Sequence, residues 1–87
     1  DQGAEKALVS KGASLLPSGI TEVSGHFESG DAIEIVSQDK SLAKGLALYS
    51  AQELKMIKGE KSQRIRDILG YDNGEVVVHR DDLVLLK

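Results

Sequence analysis

The sequence predicts a small mixed α/β domain, mostly antiparallel β, with short helices covering barrel openings or sheet edges. Three observations point there. Short aliphatic stretches alternate with polar residues at a period of two, as half-buried strands require. Glycines fall between these stretches as turn punctuation. Past the middle of the chain lie two compact helical patterns, each with its own start and stop signals.

The first element is a helical pattern near residues 4–10, with Gly12 after Lys11 as its stop. Ser14-Leu15-Leu16 starts a strand that Pro17-Ser18-Gly19 breaks or bends, because proline brings no amide hydrogen to a ladder. Ile20, Val23 and Phe27 punctuate a second extended piece, and Glu28-Ser29-Gly30-Asp31 reads as a turn. In Ala32–Val36, Ile33 and Ile35 share one face, opposite Ala32, Glu34 and Val36. A polar turn, 37–41, leads to a run in which Leu42, Lys44, Leu46 and Leu48 alternate with Ala43, Gly45, Ala47 and Tyr49. Gly45 within that run signals a bulge or a close backbone approach.

Ser50 and Glu53 form a capping-box pattern: the Ser hydroxyl accepts from the Glu amide, and the Glu carboxylate reaches back. A helix is expected over 51–58, burying Leu54 and Ile57 and ending at Gly59. Ser62 is the expected cap of another helix over 62–69, with Gly70 as its stop. Asp72-Asn73-Gly74 is a turn signal, and Val76–Val78 and Leu83–Leu86 read as strands around the polar Arg80-Asp81-Asp82. Leu15, Ile33, Ile35, Leu46, Leu54, Ile65, Leu69, Val77 and Leu83 are the expected core.

With 87 residues the chain makes one domain, 1–87. A chain of this size buries roughly 60–65% of its unfolded surface, enough for one modest core and not for a deep two-substrate cleft. It opens on Asp1 rather than Met, which suggests an excised segment. It holds no cysteine, which fits a reducing compartment, and no signal-peptide pattern. Its longest aliphatic runs fall far short of the ~20 residues of a membrane span.

The net charge of −3 is unevenly spread. Residues 1–39 carry two Lys against seven acids, or −5. Residues 40–66 carry Lys40, Lys44, Lys55, Lys58, Lys61, Arg64 and Arg66 against Glu53 and Glu60, or +5. Residues 67–87 return to −3. Of this basic stretch, Lys55, Lys58, Lys61, Arg64 and Arg66 are the candidate contacts to an RNA phosphate backbone. The competing reading is the ordinary solvated face of two helices. Phe27, Tyr49 and Tyr71 are the aromatics, few for base stacking; Phe27 is expected in the core, and both tyrosines suit buried rings with bonded hydroxyls.

Motifs for catalysis fail on context. His79-Arg80-Asp81 matches part of a protein-kinase catalytic loop, but Leu86 stands where the metal-binding Asn belongs. It reads instead as a turn whose Asp81 or Asp82 bonds nearby amides. Gly59-Glu60-Lys61-Ser62 ends like a phosphate-binding loop, yet Glu60 and Lys55 replace both required glycines. His26 and His79 lie apart, with no clustered metal-ligand spacing, and no strained nucleophile turn occurs. No catalytic, cofactor or metal residue is assigned.

Several blocks at ordered spacing carry a family resemblance: Ser14-Leu15-Leu16-Pro17-Ser18-Gly19-Ile20-Thr21, Gly30-Asp31, Ala43-Lys44-Gly45-Leu46 before Tyr49-Ser50, Ile68-Leu69-Gly70-Tyr71, and His79-Arg80-Asp81-Asp82. Together they resemble the C-terminal PUA domain of bacterial glutamate 5-kinases. The likeness runs from about Asp1 to Leu86 and implies a PUA-type pseudo-barrel, with residues 1–12 as the lead-in helix from a kinase domain absent here. It implies a parent enzyme that uses ATP and Mg²⁺ to phosphorylate the side-chain carboxylate of L-glutamate in proline biosynthesis. That parent would be cytoplasmic and homo-oligomeric, with its active site in an N-terminal amino-acid-kinase domain. The chain itself would be an accessory or regulatory domain, not catalytic alone, with no cofactor of its own. PUA domains elsewhere bind RNA, which makes RNA a possible partner.

Overall fold

The computed structural model describes residues 14–86, so the expected helix at 4–10 lies outside them. Two strands, β1 (Ala32–Ser37) and β2 (Lys40–Leu46), form an antiparallel hairpin. Gln38 and Asp39 link them, with φ of 52° and 63°. Positive φ at both central residues is what a two-residue hairpin turn of matching twist requires. The polar turn expected over 37–41 is thus tighter than its sequence range. A third strand, β3 (Leu83–Leu85), pairs antiparallel with the other edge of β2, giving the order β1-β2-β3.

Register fixes the faces. Ile35 opposes Ala43 but Val36 opposes Ser41, so Leu42 is the extra residue of a bulge. The bulge explains why Leu42 and Ala43 are consecutive in the chain yet both buried. Past it, Ala43, Gly45, Ala47 and Tyr49 point inward. Leu46 therefore faces out and is 45% exposed, against the expectation that it joins the core. Strand alternation supplies a period but not a phase, and here small residues take the inner face. A Cβ added to Gly45 would overlap Val78 Cγ1 and stand 3.0 Å from the Asp82 carbonyl oxygen. Close backbone approach, rather than a bulge at this residue, is what the glycine serves.

The helix α1 (Ala51–Ile57) carries the expected capping box: Ser50 Oγ accepts from the Glu53 amide at 3.2 Å, and Glu53 Oε1 accepts from the Ser50 amide at 2.7 Å. It buries Ala51, Leu54 and Ile57, and Gly59 at φ 77° lets the chain turn away. The second expected helix divides into a 3₁₀ turn, Ser62–Arg64, and α2 (Ile65–Leu69), ended by left-handed Gly70 at φ 85°. Ser62 does not cap it. Lys61 holds the cap position, and the Ser62 hydroxyl donates across to the Glu75 carbonyl at 2.7 Å.

The flanking segments form less ladder than expected. Ser14–Leu16 and Val76–Val78 meet at a single bridge between Leu15 and Val78. Its bonds are Leu15 N–H to Val78 O at 3.0 Å and Val77 N–H to Leu15 O at 2.7 Å. Pro17–Gly19 forms a 3₁₀ turn with Pro17 buried, and the segment holding Ile20, Val23 and Phe27 packs on the core without joining a strand.

Leu15, Tyr49, Leu54, Ile57, Ile65, Val77 and Val78 form the buried cluster. Ile33, Ile35, Leu69 and Leu83 are partly buried against it, less than expected. Among the described residues the fold is mixed α/β, with antiparallel pairing and two short helices, the class that the sequence predicts.

Candidate functional site

The basic stretch leaves its helical elements pointing into solvent. Lys55 and Lys58 lie three residues apart at the end of α1 and share a face. Lys61 precedes the 3₁₀ turn and Arg64 ends it, with the same spacing, which nearly eclipses their side chains. All four are exposed, and among the described residues none is ion-paired. Arg66 departs from the group. Its Nε and Nη2 both donate to Asp72 Oδ2 at 3.2 Å, so part of its charge is answered within the domain. Of the three aromatics, the Tyr49 ring is fully buried and Phe27 packs against the core, which leaves Tyr71 as the exposed ring.

A second constellation ties the segment between β2 and α1 to the loop after α2. The Tyr49 hydroxyl donates to the Gly74 carbonyl at 2.6 Å and accepts from the Asn73 amide at 2.8 Å. Burial pushes its phenol up, although the Asn73 amide pulls the other way. Asn73 Nδ2 donates to the Leu48 carbonyl at 2.9 Å. Tyr71, half exposed rather than buried, donates its hydroxyl to Glu53 Oε2. Burial pushes the Glu53 carboxyl up, but hydrogen bonds from Tyr71 and Ser50 outweigh that and hold it below its ordinary value. The capping pattern reveals one oxygen of Glu53, whereas its bond to Tyr71, 18 positions away, has no local sequence signal.

A groove of about 190 Å³, with mixed polar and apolar walls, opens between the irregular 19–24 segment and β1. Ile20, Val23, Phe27, Ile33, Ile35 and Leu54 line it, with Glu22 and Glu34 at its acidic positions. Among the described residues no Lys, Arg or His lines it, so these offer no cationic hold for a triphosphate.

His79 opens the 3₁₀ turn Arg80–Asp82, and its Nδ1 accepts from the Asp81 amide at 3.1 Å. The Arg80 amide donates to Ser14 Oγ at 2.9 Å. The turn reading holds, but an imidazole and a serine take the amides that Asp81 or Asp82 was expected to bond. His26 is exposed and far from His79 in sequence. Among the described residues, no three His, Cys, Asp or Glu side chains gather as a metal site. Nor is any helix there long and apolar enough to cross a membrane. None of the described residues forms the carboxylate cluster that a Mg²⁺ ion would need.

Comparison with known proteins supplies the frame for this geometry. Glutamate 5-kinase from Trichlorobacter lovleyi is 55% identical over 87 residues, which is 99% of this chain and 23% of the relative. The enzyme from Syntrophotalea carbinolica is 50% identical over 88 residues, all of this chain and 24% of the relative. That from Proteus mirabilis is 51% identical over 86 residues, 98% and 23% respectively. The chain is homologous to the PUA part of these proteins and spans about a quarter of their length. The family model described as "PUA domain" matches residues 1–69, so the chain belongs to the PUA domain family.

Proposed function

We propose that this chain is the accessory C-terminal PUA domain of a glutamate 5-kinase, modulating or organising the kinase rather than carrying the reaction. The observation that supports it is the match along nearly all of this chain to only a quarter of each relative. The parent would move the γ-phosphoryl group of ATP to the side-chain carboxylate of L-glutamate, in the cytoplasm and as a homo-oligomer. Positioning and charge stabilisation of that transfer, with Mg²⁺, need a phosphate cradle and carboxylates on the metal. The kinase domain of the same polypeptide would supply both.

A second reading, an RNA-binding module, draws on Lys55, Lys58, Lys61 and Arg64, four exposed cations without an ion pair among the described residues. The net charge of −3 and the buried Tyr49 ring weigh against it.

Two measurements test the leading reading. Titrated with Mg-ATP in a calorimeter, the 87-residue chain should give no micromolar binding and, with glutamate added, no phosphorylation. Removing the domain from the full-length protein should leave glutamate phosphorylation in place and change its regulation or assembly. Turnover by the isolated chain, or a full-length protein without a kinase domain, would defeat the proposal.

A further inference from the structure

We propose that the Asn73-Gly74 peptide is a deamidation site that the Tyr49 hydroxyl holds shut. The inference stands on the loop itself and is independent of the kinase reading. Asn73 is exposed, so water reaches it, and the residue that follows is glycine, whose missing Cβ leaves its amide nitrogen unobstructed. In such a pair the Gly74 nitrogen gives up its proton and attacks Asn73 Cγ. The Cγ–Nδ2 bond breaks, ammonia leaves with the proton, and a five-membered succinimide closes. Water then opens the ring at one of its two carbonyls, leaving aspartate or isoaspartate at position 73. One water enters and one ammonia departs, with no oxidant or reductant.

The structure restrains both reacting partners. The nucleophile, Gly74 N–H, is directed at the Asp72 carboxylate, with Oδ1 at 3.3 Å. The electrophile is held through Asn73 Nδ2, which donates to the Leu48 carbonyl at 2.9 Å. Tyr49 grips the peptide on both sides through the Asn73 amide and the Gly74 carbonyl. Its ring is fully buried, so the clamp cannot swing away with a surface side chain. Attack requires the asparagine side chain to leave Leu48 and the backbone to leave Tyr49. The reaction therefore proceeds through local opening of the loop, and its rate reports that opening.

The product cannot restore the full set of bonds. An ionised carboxylate at position 73 has no hydrogen for the Leu48 carbonyl, and two acceptors then face each other. Isoaspartate also lengthens the backbone between the two groups that Tyr49 grips. Either product thus loses the Leu48 anchor, and isoaspartate also displaces the backbone groups that the buried phenol grips.

Trypsin cleavage after Arg66 and Arg80 releases residues 67–80, which contain the pair. The folded protein carrying this chain and the free peptide are incubated in the same neutral buffer. Conversion at position 73 is then followed by mass, with isoaspartate distinguished by methyltransferase labelling. The free peptide should convert, and the folded protein should convert at least about tenfold more slowly, the factor set by opening against its hydrogen bonds. Tyr49→Phe should accelerate conversion in the folded protein severalfold. Should that variant lose its fold by circular dichroism, Asp72→Ala frees the Gly74 amide from an exposed position and should accelerate conversion instead. Absence of conversion in the peptide would overturn the site. Equal rates in peptide and folded protein, or no acceleration in the folded variant, would overturn the gate.

Discussion

Gly45 and Val78 are packed so closely that a β-carbon on the glycine would overlap Val78 Cγ1, with the Asp82 carbonyl oxygen at 3.0 Å behind it. Ordinarily Gly→Ala stabilises by about 0.4–1 kcal/mol through the unfolded chain. Here overpacking of about 1–3 kcal/mol opposes that gain and exceeds it. Gly45→Ala should lower the urea midpoint. Val78→Ala should cost less in the Gly45→Ala background than in the parent chain, because it removes the side chain that the new methyl group overlaps, while the Asp82 carbonyl stays close. A double-mutant cycle with no coupling between the two positions would contradict the packing.

Core truncations should rank by burial. Ile65 is almost wholly buried, whereas Leu69 is partly exposed on the next turn. Ile65→Ala should cost about 2–5 kcal/mol. Leu69→Ala should cost less, since part of the side chain already meets water. Urea unfolding of both variants checks the order, and equal losses would contradict it.

The α1 cap offers a milder test. Ser50→Ala removes the acceptor for the Glu53 amide and should cost about 0.5–2 kcal/mol. Ser50→Gly should cost only a few tenths. A chemical-denaturation series of the three proteins separates these outcomes.

Acidity should act through the same carboxylate. Glu53 is held below its ordinary value of 4.5, so the unfolded chain binds its proton first as pH falls. Its contribution to stability is complete above that value and disappears as pH drops through the lower folded one. Tyr71 is the mirror case. The hydrogen bond to Glu53, reinforced by burial, raises it above 10.0, so its contribution is present below that value and is lost on passing through the higher folded one. Glu53→Gln should flatten the acid limb of a stability–pH profile, and Tyr71→Phe should flatten the alkaline limb. An unchanged acid limb in Glu53→Gln would contradict the bond network.

For the cations, charge reversal at Lys58, Lys61 and Arg64 is expected to change neither RNA retention nor its salt dependence. A binding face would behave otherwise, because each neutralised phosphate releases counterions and steepens the salt slope. Filter binding over a salt series decides between the two.

Local chemistry was the legible part of this fold. Ser50 with Glu53, Gly70 after α2, and the alternation of Ile33 and Ile35 each state their structure within a few residues. What escaped depends on distant partners. The bulge at Leu42 and the approach of Val78 to Gly45 decide which face of β2 is inside, and neither is encoded by period. Ser62 looks like a cap until Glu75 offers its carbonyl. The candidate phosphate contacts were legible as charge alone. Their exposure agrees equally with a binding face and with a solvated one, except at Arg66, which Asp72 occupies.

The Arg80 amide meets Ser14 Oγ across 66 positions, beside the Leu15–Val78 bridge. Closing so long a loop has an entropic cost that grows slowly with length but arrives before any contact rewards it. The hairpin and α1 can form from neighbours in sequence, whereas this seam must wait for the chain between its two sides to condense. Folding speed is therefore governed by the meeting of distant segments, and the domain folds more slowly than a helical bundle of equal length.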